Sequence, residues 1–94
     1  MFTGKTIIVT GAAGNVGSAL ALVLAGKGAR VAAVDTTKDR LEAVVAALPG
    51  QGHLALSQFN LLDPAATEAL VAHVVATCGG LHGVGTTVGG FAMA

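Results

Sequence analysis

The chain has 94 residues, of which 53% are hydrophobic and 11% charged, with five basic and five acidic side chains. That length suits one small domain and excludes two parallel-sheet domains, because each strand–helix–strand unit takes about 30 residues. A formal net charge of zero gives no basic patch for nucleic acid, and the absence of Tyr and Trp excludes any chemistry within this chain that needs a phenolic acid or base.

The first element is a β-rich run, Lys5 to Thr10, apolar without alternation, as expected of a buried parallel strand. A glycine loop follows, Gly11-Ala12-Ala13-Gly14-Asn15-Val16-Gly17. Val16, Ala19, Leu20, Val23 and Leu24 then recur at helical spacing and predict one apolar helix face, which Gly26 and Gly28 end. Arg30 to Asp35 predicts a second strand. Thr36 is the expected cap of a second helix, with Asp39 in its first turn and Leu41, Val44, Val45 and Leu48 on its apolar face. Pro49-Gly50 stops it.

His53 to Phe59 predicts a third strand. Asp63-Pro64 is a helix start, Asp as N-cap and Pro at the first helical position. Leu70, Val71, Val74, Val75 and Cys78 form the apolar face of that helix, which Gly79-Gly80 end. Leu81 to Val88 predicts a fourth strand, weakened by Gly83 and Gly85, which leave nothing to pack. The alternation β-α-β-α-β-α-β implies an α/β fold, a Rossmann-like doubly wound parallel sheet in partial form, with expected strand order 3-2-1-4.

The glycine loop follows a strand, opens an amphipathic helix and is followed by an acidic residue, Asp35, at the end of the next strand. These are the conditions of a dinucleotide fingerprint; the alternative is a plain tight turn. Gly11 permits the turn, a bare glycine lets the backbone approach a pyrophosphate, and Gly17 lets the helix pack close. The free amides near Asn15 and Val16 point at an anion. Asp35 can accept hydrogen bonds from the adenosine ribose hydroxyls and repels a 2′-phosphate, which favours NAD over NADP. Lys38 and Arg40, close by in sequence, moderate that preference. The loop does not fit a P-loop, because Ser18 follows Gly17 and no Lys occupies the phosphate position.

Thr10-Gly11-Ala12-Ala13-Gly14-Asn15-Val16-Gly17 resembles the TGxxGxxG motif of short-chain dehydrogenases/reductases, and Asp35 matches the acidic residue of their NAD-preferring members. Asn60-Leu61-Leu62-Asp63 is similar to the family's D-[VL]-x-D segment beside the adenine, with Asn60 in place of Asp. Thr86-Thr87-Val88-Gly89 stands where the family has Asn-Asn-Ala-Gly, beside the nicotinamide ribose. The resemblance implies a cofactor site of Gly11, Ala13, Gly14, Asn15, Val16, Gly17, Asp35, Thr36, Asn60, Leu61, Val88 and Gly89. It also implies hydride transfer to or from a carbonyl or alcohol carbon. The family's active-site Asn, Ser and Tyr-x-x-x-Lys lie on later elements, and Lys5, Lys27 and Lys38 come too early to serve. Residues 1–94 are therefore expected to be the dinucleotide-binding portion of an incomplete domain, inactive alone. Its expected partners are an NAD-type dinucleotide and either a missing C-terminal half or further copies in a homo-oligomer. A non-catalytic nucleotide-binding or self-associating module is the alternative.

The remaining polar residues carry no constellation. His53, His73 and His82 share no triad or metal spacing and are expected in surface or packing roles. The single Cys78 cannot form an intrachain disulfide and is expected to be an inert thiol, in keeping with a reducing cytoplasm. The longest apolar run, Ala19 to Ala25, is too short to span a membrane, and the first five residues lack the pattern of a signal peptide.

Overall fold

The computed structural model describes residues 3–59 and 63–86. Four strands, β1 (Thr6–Thr10), β2 (Arg30–Val34), β3 (Leu54–Leu56) and β4 (Gly83–Thr86), alternate with three helices, α1 (Asn15–Gly26), α2 (Lys38–Ala46) and α3 (Pro64–Cys78). All the pairings are parallel, and the order is β3-β2-β1-β4, the 3-2-1-4 order expected from the alternation.

Period-two alternation divides the core in two. Val9, Val31 and Ala33 face one way and join Ala21 and Ala25 of α1 and Leu41 of α2, with Leu48 just beyond it. Ile8, Ala32, Val34 and Leu56 face the other way and meet Leu70 and Val74 of α3. One face thus carries two helices and the other one.

The packed face of α1 differs from the expected one. Val16 is 71% exposed and Val23 54%, and Ala19 is exposed as well. The buried residues are Gly17, Ala21 and Ala25, spaced by four, with Leu20 and Leu24 beside them. The helix lies so close to the sheet that only its smallest side chains fit beneath it. Periodicity pointed elsewhere because apolar residues occur on every side of this helix.

One glycine of β4 serves that same closeness. A Cβ on Gly85 would come within 2.8 Å of Leu20 Cδ2, so Gly85 makes room for an α1 side chain rather than leaving an unfilled position.

Both outer strands begin later than expected, and histidines explain where. Val31 donates its N–H to His53 Nδ1 at 3.0 Å, so a ring nitrogen occupies the place of a β3 carbonyl and pairing starts at Leu54. Thr6 likewise donates to His82 Nδ1 at 3.0 Å, while the His82 amide donates to the Thr6 carbonyl at 2.8 Å; β4 begins one residue later.

The cap of α2 is Thr37, not Thr36, and its side chain makes no capping bond. Asp35 has displaced it, because Asp35 Oδ1 accepts the Thr37 amide at 3.2 Å, an Asx turn that sets the helix entry. In α3 the expected signals hold. Asp63 Oδ1 accepts the Ala65 amide at 3.0 Å, Pro64 opens the helix and Gly79 closes it at φ 80°. Val71 and Val75, expected on the packed face, stand 38% and 42% exposed.

The corrected α1 face is testable by urea unfolding. Ala21→Leu, which forces a larger side chain under the helix, is expected to cost about 1–3 kcal/mol. Val23→Ala is expected to change stability by less than about 0.5 kcal/mol. The reverse ranking would restore the face read from periodicity.

Candidate functional site

The carboxyl ends of β1, β2 and β4 lie along one edge of the sheet, and the strand order reverses between β1 and β4. In open α/β sheets such a reversal leaves a crevice for ligands. The glycine loop sits there, between Thr10 and α1.

Its shape follows from close approach. Gly11 has φ 65°, a left-handed conformation that side chains disfavour. Gly17 stacks on the Gly11 carbonyl: a Cβ there would collide with the carbonyl oxygen and lie 2.7 Å from its carbon and 2.9 Å from Ala12 Cα. Gly14 is less confined, since a Cβ would meet the Gly11 carbonyl oxygen at 3.4 Å. Gly14 donates its amide to that oxygen at 3.1 Å, and Ala12 donates to the Val34 carbonyl at 3.1 Å.

Gly14 is also the N-cap of α1. It has no side chain to close the helix end, and no acidic residue stands in the first turn. Gly14, Asn15 and Val16 are all exposed. The first amides of the helix therefore open to solvent with the positive end of the helix dipole behind them, an arrangement suited to an anion.

Asp35, at the end of β2, is half-buried beside the loop. Its Oδ2 accepts the Ala13 amide at 3.0 Å and its Oδ1 the Thr37 amide at 3.2 Å. Each oxygen retains accepting capacity after these bonds. Thr36 is exposed next to it. The structure also brings in a residue that the sequence did not assign to the loop: Arg40, in the first turn of α2, donates from Nη2 to the Ala13 carbonyl at 3.3 Å. No spacing rule reports that contact, since it depends on how α2 is set against the loop.

The structure thus gathers Gly11, Ala13, Gly14, Asn15, Val16, Gly17, Asp35 and Thr36 at one edge. Asn60, Leu61, Val88 and Gly89 lie outside the described residues. The histidines at the starts of β3 and β4 belong to the opposite edge. There a hollow of about 360 Å³, lined in part by Arg30, His53 and Cys78, receives the carboxyl ends of α1 and α3. Among the described residues no group of His, Cys, Asp and Glu could hold a metal ion, and no helix is long and apolar enough to cross a membrane.

A parallel sheet of order β3-β2-β1-β4, with an open helix N-terminus after β1 and an acidic residue after β2, defines a partial Rossmann-like α/β fold. The family model of the short chain dehydrogenases matches residues 5–93, and the chain belongs to that family. It is 41% identical over 81 residues to the 2,5-dichloro-2,5-cyclohexadiene-1,4-diol dehydrogenase of Sphingobium indicum, covering 86% of this chain and 32% of that protein. Among solved structures, a 7α-hydroxysteroid dehydrogenase complexed with NADH and 7-oxo glycochenodeoxycholic acid superimposes with a TM-score of 0.81 at 25% identity, over 88% of this chain and 33% of that one. A metagenomic short-chain oxidoreductase in complex with NADP gives 0.74 at 30% identity, over 87% and 38%. The chain therefore spans about a third of the length of these relatives.

The Gly17 contact sets a steric test. Gly17→Ala is expected to cost about 1–3 kcal/mol or more, because a methyl group must displace backbone rather than a side chain. Gly14→Ala, with room at 3.4 Å, is expected to fold with little loss. Equal thermal stability for Gly17→Ala and the parent chain would contradict the close approach.

Proposed function

We propose that residues 1–94 supply the dinucleotide-binding portion of a short-chain dehydrogenase-type oxidoreductase, with NAD as the favoured cofactor. The observation that carries the reading is Asp35, a carboxylate with accepting capacity left, held at the rim of a glycine loop that opens a helix N-terminus. The residues fit the group. The amides of Asn15 and Val16 bind the pyrophosphate, Gly14 leaves its approach unobstructed, and Asp35 accepts from the adenosine ribose hydroxyls. Because the Ala13 amide is engaged by Asp35, the phosphate is held by the amides that follow it rather than by Ala13 itself. By resemblance, Thr36, Asn60 and Leu61 border the adenosine, and Val88 and Gly89 the nicotinamide ribose.

The bound cofactor supplies a hydride donor or acceptor at its nicotinamide ring; the chain's own groups bind and orient it. A carboxylate at the ribose disfavours a 2′-phosphate by repulsion, which supports NAD ahead of NADP. The relatives in complex with NADH and with NADP keep both cofactors in the test. These 94 residues hold no Tyr, so the proposal assigns proton transfer to groups outside them and expects no turnover from the chain alone. A reducing cytoplasm is the proposed setting, consistent with Cys78 as a half-buried free thiol.

Calorimetric titration is expected to show NAD binding, tighter than NADP. Asp35→Ala should weaken NAD by about 1–3 kcal/mol, the scale of hydrogen bonds to a charged group. Neither heat nor a thermal shift at millimolar NAD would remove the binding claim.

A second reading, a self-associating module, is supported by α3. One side of it is an open apolar surface with Val71, Ala72 and Val75, the two valines 38% and 42% exposed, and exposed apolar surface of this kind invites partners. Light scattering after size exclusion is expected to give a mass above that of one chain; a monomer at high concentration would count against it.

A further inference from the structure

We infer that Arg40 is a positioning residue of the glycine loop, fixing the peptide between Ala13 and Gly14 in the orientation that leaves the helix N-terminus open. That peptide is held at both ends. Its carbonyl, on Ala13, accepts from Arg40 Nη2 at 3.3 Å, and its amide, on Gly14, donates to the Gly11 carbonyl at 3.1 Å. The preceding peptide is fixed separately, through the Ala13 amide on Asp35 Oδ2 at 3.0 Å. Ala13 therefore has both of its backbone groups on side chains from the second strand–helix unit, one from the end of β2 and one from the first turn of α2.

The need for such a hold is local. The peptide ends at a glycine, which adopts either sign of φ at little cost, so nothing in the covalent chain prevents the Ala13 carbonyl from turning. Ala13 is only 7% exposed, so its carbonyl requires a partner from the protein. A guanidinium meets the requirement with a charge-assisted bond, stronger than a neutral one. Arg40 is otherwise exposed, and its aliphatic stem carries the charge from the helix surface to the loop. A loop shaped before the ligand arrives does not lose affinity to its own ordering.

The effect on nucleotide affinity rests on the function proposed above; the hold on the loop does not, and the experiment separates them. Amide hydrogen exchange is read by NMR on the ligand-free chain and on Arg40→Met, which keeps the stem and removes the donors. Exchange at Ala13 and Gly14 is expected to quicken by about threefold to tenfold, the scale of one hydrogen bond, with the β1 amides of Ile8 and Val9 unchanged. Arg40→Lys, which keeps a charged donor, should recover part of the protection. Unchanged exchange at Ala13 and Gly14, or an equal rise in β1, overturns the positioning role. In titrations, Arg40→Met should weaken NAD and NADP alike, by about threefold to tenfold. A loss confined to NADP overturns the inference, since Arg40 would then be reading the 2′-phosphate. Unchanged affinity for both overturns it as well. If the parent chain takes up no nucleotide, the proposed function fails and the exchange measurement alone decides the inference.

Discussion

The contact between Gly17 and the Gly11 carbonyl governs the rest of the molecule. No side chain fits between them, so the start of α1 is brought down onto the end of β1. Once that distance is set, what stands directly below the helix at intervals of four is small, Ala21 and Ala25, with Leu20 and Leu24 packing beside them. Gly85 answers the same demand from β4, by clearing space for Leu20. The first turn of the helix meanwhile has no side-chain cap on its amides. Close packing and ligand access are thus two results of one steric constraint, and a looser helix would lose both.

Asp35 extends that constraint to the second strand–helix unit. One oxygen holds the Ala13 amide and the other shapes the entry to α2; Arg40 then returns from α2 to the Ala13 carbonyl. Loop, strand end and helix start form a closed circuit of hydrogen bonds. A carboxylate committed in this way is oriented before any ribose arrives, which is what preorganised recognition requires. The residue to which the cofactor preference is assigned in the proposal therefore also maintains the shape of the glycine loop. Substitutions at Asp35 consequently mix two effects, selectivity and loop geometry, and only comparison across ligands separates them.

The features legible in the sequence are those written in local chemistry. Asp63-Pro64 announces a helix start because both residues act on their immediate neighbours, and the structure has the cap bond in place. The alternation of strands and helices gives the strand order because short connections and right-handed crossovers leave few topologies. The glycine loop and Asp35 are legible because each glycine answers a backbone requirement rather than a packing choice. The face of α1 is not, because Val16, Leu22 and Val23 are as apolar as the residues actually buried, and a pattern without contrast has no direction. Arg40 is illegible for a different reason: its contact crosses from one helix to a loop 27 positions away in sequence. The two histidines that start the outer strands are equally tertiary, since a ring nitrogen standing in for a carbonyl leaves no spacing to detect.

The exposed apolar residues fall into two groups with different physical standing. Val16 borders the open helix end, where the proposed dinucleotide would cover it. Val71 and Val75 line one side of α3, on the sheet face that carries a single helix, and no ligand at the glycine loop would reach them. Among the described residues the sheet ends in β3 and β4, and a strand edge left unpaired templates further pairing. Of these, β4 adjoins the point where the strand order reverses, so any strand added there would extend the sheet alongside the proposed nicotinamide end of the site. A body that covered Val71 and Val75 would bury apolar surface that a ligand at the glycine loop leaves exposed.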